Sequence, residues 1–327
     1  MHFLRPISTT TALLALAAGS FCAQRQVSKP AQNPRPDGSE GVFGLYGVPL
    51  AAVDGVPHGC TLPLDPTDTV LRVSPWPGGT VPYRFDANVT PTQQAQAVAA
   101  MDIVEALAQI TFVPRTSQTA FLHLQSGAQN FSTTIGYSGF PEVIELFNWG
   151  IQGIVIHELM HALGFYHEQS RTDRDSHVTV VDANIEPGRE HNFTIAFGST
   201  SLGPYDFGSL MHYGKCDFTI CGSCTPGCET ILAPGHEDEI GQRGAISALD
   251  AHGIRSLYAF SSWRFVDKSH SSAGSGSGTN PWRELSSALA SAPSGSTVFV
   301  MPGTYDIPSS WSKALVVAAP VEGVRVQ

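Results

Sequence analysis

Hydrophobic and polar positions change rhythm along this chain. Over residues 24–70, proline, glycine and short polar runs interrupt every apolar segment, as in a propeptide or linker. From Val70 regular periods appear. Val81-Pro82-Tyr83-Arg84-Phe85 reads as a strand, and residues 91–109 as a helix capped by Thr90 with Pro91 in its first turn. Val98, Met101, Val104, Leu107 and Ala108 recur at helical spacing there, with Ile103 and Ile110 at the edges. Short strands are predicted at 111–114, 120–125 and 142–147, with Gly136 and Gly139 breaking the chain between the last two. Residues 151–165 read as one buried helix, with Ile154, Val155, Leu159 and Leu163 apolar and Gly164 as its stop. Residues 176–205 look irregular. A further helix is expected over 241–258, carrying Ile246, Leu249, Ile254 and Leu257. The pattern divides the chain into a core domain at 71–260, a polar Gly/Ser-rich linker at 261–280 and a short tail at 281–327. In the tail, a helix is expected near Trp282–Ala290, with strands at Thr297–Met301 and Leu315–Ala319.

Composition narrows this picture. The chain has 327 residues, long enough for one sizeable core plus smaller units. Its formal net charge of -10 argues against nonspecific nucleic-acid binding, which needs a basic surface. Arg5 precedes the apolar run Ala12-Leu13-Leu14-Ala15-Leu16-Ala17-Ala18, which reads as a secretion signal over residues 1–23 and is too short to span a bilayer. Cleavage after Ser20, Cys22 or Ala23 fits equally. Cys216, Cys221, Cys224 and Cys228 crowd one stretch, and two local disulfides are the natural reading in an oxidising compartment. Three pairings are open, and a zinc site built from all four is the rival. Sequons stand at Asn88, Asn130 and Asn192. Nothing in the pattern sets an oligomeric state.

The candidate chemistry lies in His157-Glu158-Leu159-Met160-His161-Ala162-Leu163-Gly164-Phe165-Tyr166-His167. On a helix, His157 and His161 share one face a turn apart, so both imidazoles reach one ion. His167 cannot lie on the same straight helix at the right height. Gly164 permits the turn that brings it back to complete a tripod. Three protein ligands leave a position open, the pattern of a catalytic zinc site. Glu158 is placed to take the proton of an attacking water and pass it to a leaving amine. A closed structural site would want a fourth strong ligand and would leave Glu158 without a purpose.

The extended motif and a later Ser209-Leu210-Met211-His212-Tyr213-Gly214 resemble the metzincin zinc peptidases, with Met211 as an apolar floor under the metal. The chain resembles the astacin family more specifically. The match covers His157 through Asp175, Ser209 through Gly214, Gly241-Gln242-Arg243 through Tyr258, and the opening stretch Trp76-Pro77 with Val81–Phe85. The resemblance implies an α+β fold of two subdomains, with a twisted mixed sheet, an active-site zinc helix and a Met-turn. It implies one catalytic Zn2+ and a secreted endopeptidase acting on protein or peptide substrates. Tyr213 matches a switching tyrosine that approaches zinc in the resting enzyme and swings away to stabilise the oxyanion, Glu168 a residue that anchors a liberated N-terminus, and the strand Val143–Leu146 an edge strand holding extended substrate. His212 is given no catalytic role.

The departures are specific. Positions where animal members carry disulfides lack cysteine here; Gly127-Ala128 and Trp149 stand there instead. Asp54 and Cys60 are the candidate blockers of the zinc in a precursor, and Ala51-Ala52-Val53 resembles a mature start. The tail resembles the opening of a right-handed parallel β-helix. Two alternatives stand beside the peptidase: an inactive zinc-binding protein on a protease scaffold, and a carbohydrate-attachment protein driven by the tail.

Overall fold

A computed structural model describes residues 74–308, 312–321 and 323–327. The expected signal, the propeptide with Asp54 and Cys60, and Cys22 lie outside the described residues.

A five-stranded sheet and two helices make the first layer pair. Strands β1 (Thr80–Phe85), β2 (Thr111–Pro114), β3 (Phe121–Ser126), β4 (Phe131–Ser132) and β5 (Pro141–Leu146) are ordered β2-β1-β3-β5-β4. All neighbours run parallel except β4, which is antiparallel to β5. The parallel strands need crossovers, and helices α1 (Pro91–Glu105) and α2 (Gln152–Leu163) pack with the sheet around one apolar core. Leu122, Leu124, Ile144 and Leu146 point into that core from alternate positions of β3 and β5.

Several sequence expectations shift. Helix α1 has its capping box, with Thr90 accepting from the Gln93 amide and the Gln93 side chain accepting from Thr90. It stops at Glu105 rather than 109, because the Gln109 amide turns away to the Tyr258 carbonyl at 3.0 Å. Its buried face is Ala97, Ala100, Met101 and Val104, and Val98 is 37% exposed, one position out of phase. The strand expected at the sheet's edge lies inside it, because β5 is flanked by β3 and β4. The edge on that side of the sheet is β4, two residues with no apolar run to announce it.

Helix α3 (Ala248–Leu257) begins seven residues later than expected. Gly241 sits at φ +79, with its α-carbon packed so close to Gly214 that a β-carbon would lie 2.4 Å from it, and this turn precludes a helix there. The cap is Ser247, boxed with Asp250.

The range expected as a linker is folded. Beyond a short antiparallel ladder of β6 (Thr179–Val180) and β7 (Ile231–Leu232), strand β8 (Trp263–Val266) pairs in parallel with β9 (Thr297–Val300), which pairs in parallel with β11 (Val316–Ala318). A second parallel pair joins β10 (Gly303–Tyr305) to β12 (Val324–Val326), and helix α4 (Leu285–Ser291) covers a small core with Val266, Trp282, Val298 and Val300. Gly278 approaches α3 so closely that a β-carbon would fall 1.8 Å from the Ser256 carbonyl oxygen. Glycine is what lets this segment seat the tail on α3. Among the described residues no helix is long and apolar enough to cross a membrane.

Candidate metal centre

Helix α2 places the first two ligands. Its sequence is buried from Gly153 through Leu163, and Gly153 lets its backbone approach the Arg243 carbonyl. His157 and His161 stand one turn apart, their rings 4.7 Å from centre to centre. The helix ends at Gly164 in the left-handed conformation, φ 115 and ψ 15, with the Phe165 amide returned to the Met160 carbonyl at 3.0 Å. The reversed chain then delivers His167. Its Nε2 lies 3.2 Å from Nε2 of His157 and 3.1 Å from that of His161.

These distances fit a shared ion. Two nitrogens bound at zinc's usual length in a tetrahedral shell stand ~3.3 Å apart. Nδ1 of His157 donates to the Leu210 carbonyl at 2.8 Å, and Nδ1 of His161 to the Phe165 carbonyl at 2.7 Å. Each bond fixes a tautomer and leaves the Nε2 lone pair for the metal. Burial and the neighbouring rings hold His157 and His167 well below the usual histidine range; burial, with Arg243 nearby, pushes His161 down to about 4. The rings are thus neutral, the ligand form. Three buried histidines are positioned to chelate a single zinc ion, and among the described residues no other group of three or more His, Cys, Asp or Glu has this convergence.

The surroundings come from loops. Glu158 is fully buried beside His157 on α2. Tyr213 is fully buried, its ring 4.3 Å from that of His167. Its amide donates to Gln169 Oε1 at 3.0 Å. Met211 is buried in the main core, and its carbonyl accepts the Glu168 amide at 3.1 Å, tying the Met-turn to the chain just after His167. Asp250 accepts from Ser209 Oγ at 2.6 Å and from the Leu210 amide at 2.8 Å, so α3 holds the same turn from the other side. His212 bonds Tyr205 and the Tyr213 carbonyl, the contacts of a turn residue. Glu168 faces a cavity of about 430 Å³ that Arg171, Asp206 and Thr279 also line. Its carboxylate accepts the Asp206 amide at 2.9 Å and lies 3.5 Å from Arg171, and burial pushes it up to about 8.

The structure sorts the remaining sequence candidates. The four clustered cysteines form two disulfides, Cys216–Cys224 and Cys221–Cys228, so they do not build a second zinc site. Asn88 is exposed, whereas Asn130 and Asn192 are 7% and 0% exposed. The Asn130 side-chain amide donates to Asn148 Oδ1 at 2.8 Å. Of the three sequons, the one at Asn88 presents its asparagine to solvent in this fold. Sequence reading missed Gln169, Asp250 and the carbonyls of Leu210 and Phe165. The carbonyls carry no residue signature, but the spacing Ser247-x-x-Asp250 could have drawn attention to Asp250.

The mixed sheet, the zinc helix and the returning third histidine define a metzincin-type protease domain. A family model described as Astacin (Peptidase family M12A) matches residues 69–259, more than half of the chain. The chain belongs to the astacin family. It is 36% identical over 237 residues to Tolloid-like protein 2 of Mus musculus, covering 69% of this chain and 23% of that protein. It is 36% identical over 190 residues to Zinc metalloproteinase nas-14 of Caenorhabditis elegans, covering 56% and 37%. The chain therefore spans well under half the length of these curated relatives. Among solved structures, High choriolytic enzyme 1, a hatching enzyme zinc-protease from Oryzias latipes, superposes with a TM-score of 0.52 at 32% identity. That match covers 57% of this chain and 93% of that one.

Proposed function

We propose that this chain is a secreted zinc-dependent endopeptidase that hydrolyses internal bonds of protein or peptide substrates. The observation that carries the reading is the buried tripod of His157, His161 and His167 with Glu158 beside it on the same helix. Zinc, when bound there, acidifies water and polarises a carbonyl. Glu158 takes the proton of the attacking water and delivers it to the leaving amine. Tyr213 donates its phenol hydrogen to the oxyanion as charge develops. The free edge of β4 offers backbone groups to an extended substrate, as in strand addition. Its place near the metal is supported by the Gly136 amide, four residues beyond β4, which donates to the His161 carbonyl at 2.9 Å. Glu168, in its cavity, receives the amine freed when a propeptide over 24–70 is removed, and residues 1–23 direct export. The two disulfides and kinship with Tolloid-like proteins support the extracellular assignment.

The test is the Glu158→Gln variant beside the wild type. The wild type should bind one zinc and cut a mixed peptide library. The variant should keep its zinc and lose roughly 10³-fold or more in turnover. A processed wild type that binds zinc and cuts nothing sinks the proposal.

A further inference from the structure

The disulfide-bonded stretch after Tyr213 contains a backbone outlier. Phe218 has φ 56, and among the described residues it is the non-glycine position with positive φ. A bulky L-residue is strained there, and such conformations persist only where the surroundings over-determine them. The surroundings here are dense. The Glu186 amide donates to the Phe218 carbonyl at 2.8 Å, and the Thr219 amide to the Cys216 carbonyl at 3.1 Å. Thr230 Oγ1 donates to the Asp217 carbonyl at 2.8 Å, and Thr219 Oγ1 to the Cys228 carbonyl at 2.7 Å. Residues 221–227 are exposed, so no apolar core orders them. The two disulfides cross instead: Cys221 lies within the loop closed by Cys216–Cys224, and Cys224 within the loop closed by Cys221–Cys228.

The ring that this strain holds in place faces Tyr213. Its centre is 5.5 Å from the Tyr213 ring and 6.3 Å from Phe193, which itself stands 5.6 Å from Tyr213. The Arg189 guanidinium lies 5.5 Å from the Phe218 ring centre. Tyr213 is therefore walled by two aromatic rings while its own ring lies against His167. Relaxing Phe218 to an ordinary backbone conformation would redirect its β-carbon and withdraw one wall. The two rings bound the space in which the phenol can turn from its place against His167 toward developing charge.

We infer that Phe218 is a positioning residue for Tyr213, held in its left-handed conformation by the crossed disulfides of residues 216–228. The inference rests on the oxyanion role proposed above for Tyr213. Phe218 touches no reacting atom; it acts by bounding one side of the space through which the phenol moves.

A double-mutant cycle tests it. Phe218→Asn keeps a residue that tolerates the left-handed region and removes the ring. In otherwise native protein it should lower kcat by about tenfold, with KM within about twofold and zinc content unchanged. Phe218→Tyr, which restores the ring, should recover most of the rate. Tyr213→Phe alone should lower kcat by about 10²-fold, and adding Phe218→Asn to it should then change kcat by less than about twofold. The pair Cys216→Ser with Cys224→Ser should behave as Phe218→Asn does in both backgrounds. If Phe218→Asn does not fold, Phe218→Leu enters the same cycle. A loss of equal size in the Tyr213→Phe background overturns the positioning role alone, as does a native-like kcat for Phe218→Asn. Native turnover by Tyr213→Phe overturns the tyrosine's role and this inference together.

Discussion

Residues 74–166 place five strands and two helices around one apolar core, whereas residues 167–247 are mostly short turns with one two-stranded ladder. The second region has a small aromatic cluster of its own around Phe193, Tyr205 and Tyr213. Much of its order comes from polar groups: Arg171 with Asp173 at 2.8 Å, Arg174 with the Gln169 carbonyl at 3.0 Å, and Asn184 with the Glu229 carbonyl at 2.8 Å. It is also fastened to the first region, since Leu210 and Met211 enter the main core. The metal centre takes two ligands from the ordered helix and the third from the start of the looped region. Helix geometry alone aims His157 and His161. His167 and Tyr213 are placed by turns and hydrogen bonds.

The largest expected effect comes from removing the metal. Chelation should abolish peptide cleavage and loosen the second region, which loses the tie through His167. Brief treatment with an added serine protease, followed by mass analysis, should show new cuts within 186–203 before any within 91–163. First cuts inside α1 or α2 would break the comparison. Next, Leu124→Ala, fully buried in the sheet core, should cost about 3 kcal/mol in a denaturant titration. Cys221→Ser combined with Cys228→Ser should cost about 2.5 kcal/mol, since this disulfide closes a short loop of separation 7. A disulfide cost well above that of the core truncation would mean that the loops, not the sheet, dominate stability.

The smallest effect probes a buried polar group within the ordered region. Glu142 is fully buried on β5, and burial pushes its carboxyl from 4.5 up to about 7. Its neutral form is favoured inside the fold, so the folded chain binds more protons than the unfolded chain between these values. Stability from this group is therefore greatest below about pH 4.5, falls as pH rises, and levels off above about 7. Between pH 5 and pH 8 the loss should be about 2 kcal/mol, and Glu142→Gln should remove it. Equal pH dependence in the variant would place the titrating group elsewhere.

The difference between the regions also explains what could be read in advance. The strands at 111–114 and near 121–126 announce themselves by alternation, and the helix beneath His157 by a continuous apolar run that Gly164 closes. The tripod was legible because one helical turn and one glycine bracket its spacing. Edge strand β4 was not, since two residues show no period and only the partner strand defines them. The glycines of 261–280 resemble those of a flexible linker, yet Gly278 is there because Ser256 leaves no room for a side chain. The sequons differ in exposure for a related reason: a three-residue motif carries no information on whether its asparagine faces solvent, as Asn88 does and Asn130 and Asn192 do not.

From the sequence alone came the family resemblance, the three zinc ligands with Glu158, and most of the elements of the first region. Those follow from local repeats, where a residue's neighbours along the chain decide its environment. Tertiary structure alone decided the disulfide pairing, the inner position of β5, the seating of the tail on α3 and the strained Phe218 beside Tyr213. Each of these depends on contacts between segments far apart in the chain or on a loop closing upon itself, and no local period encodes them.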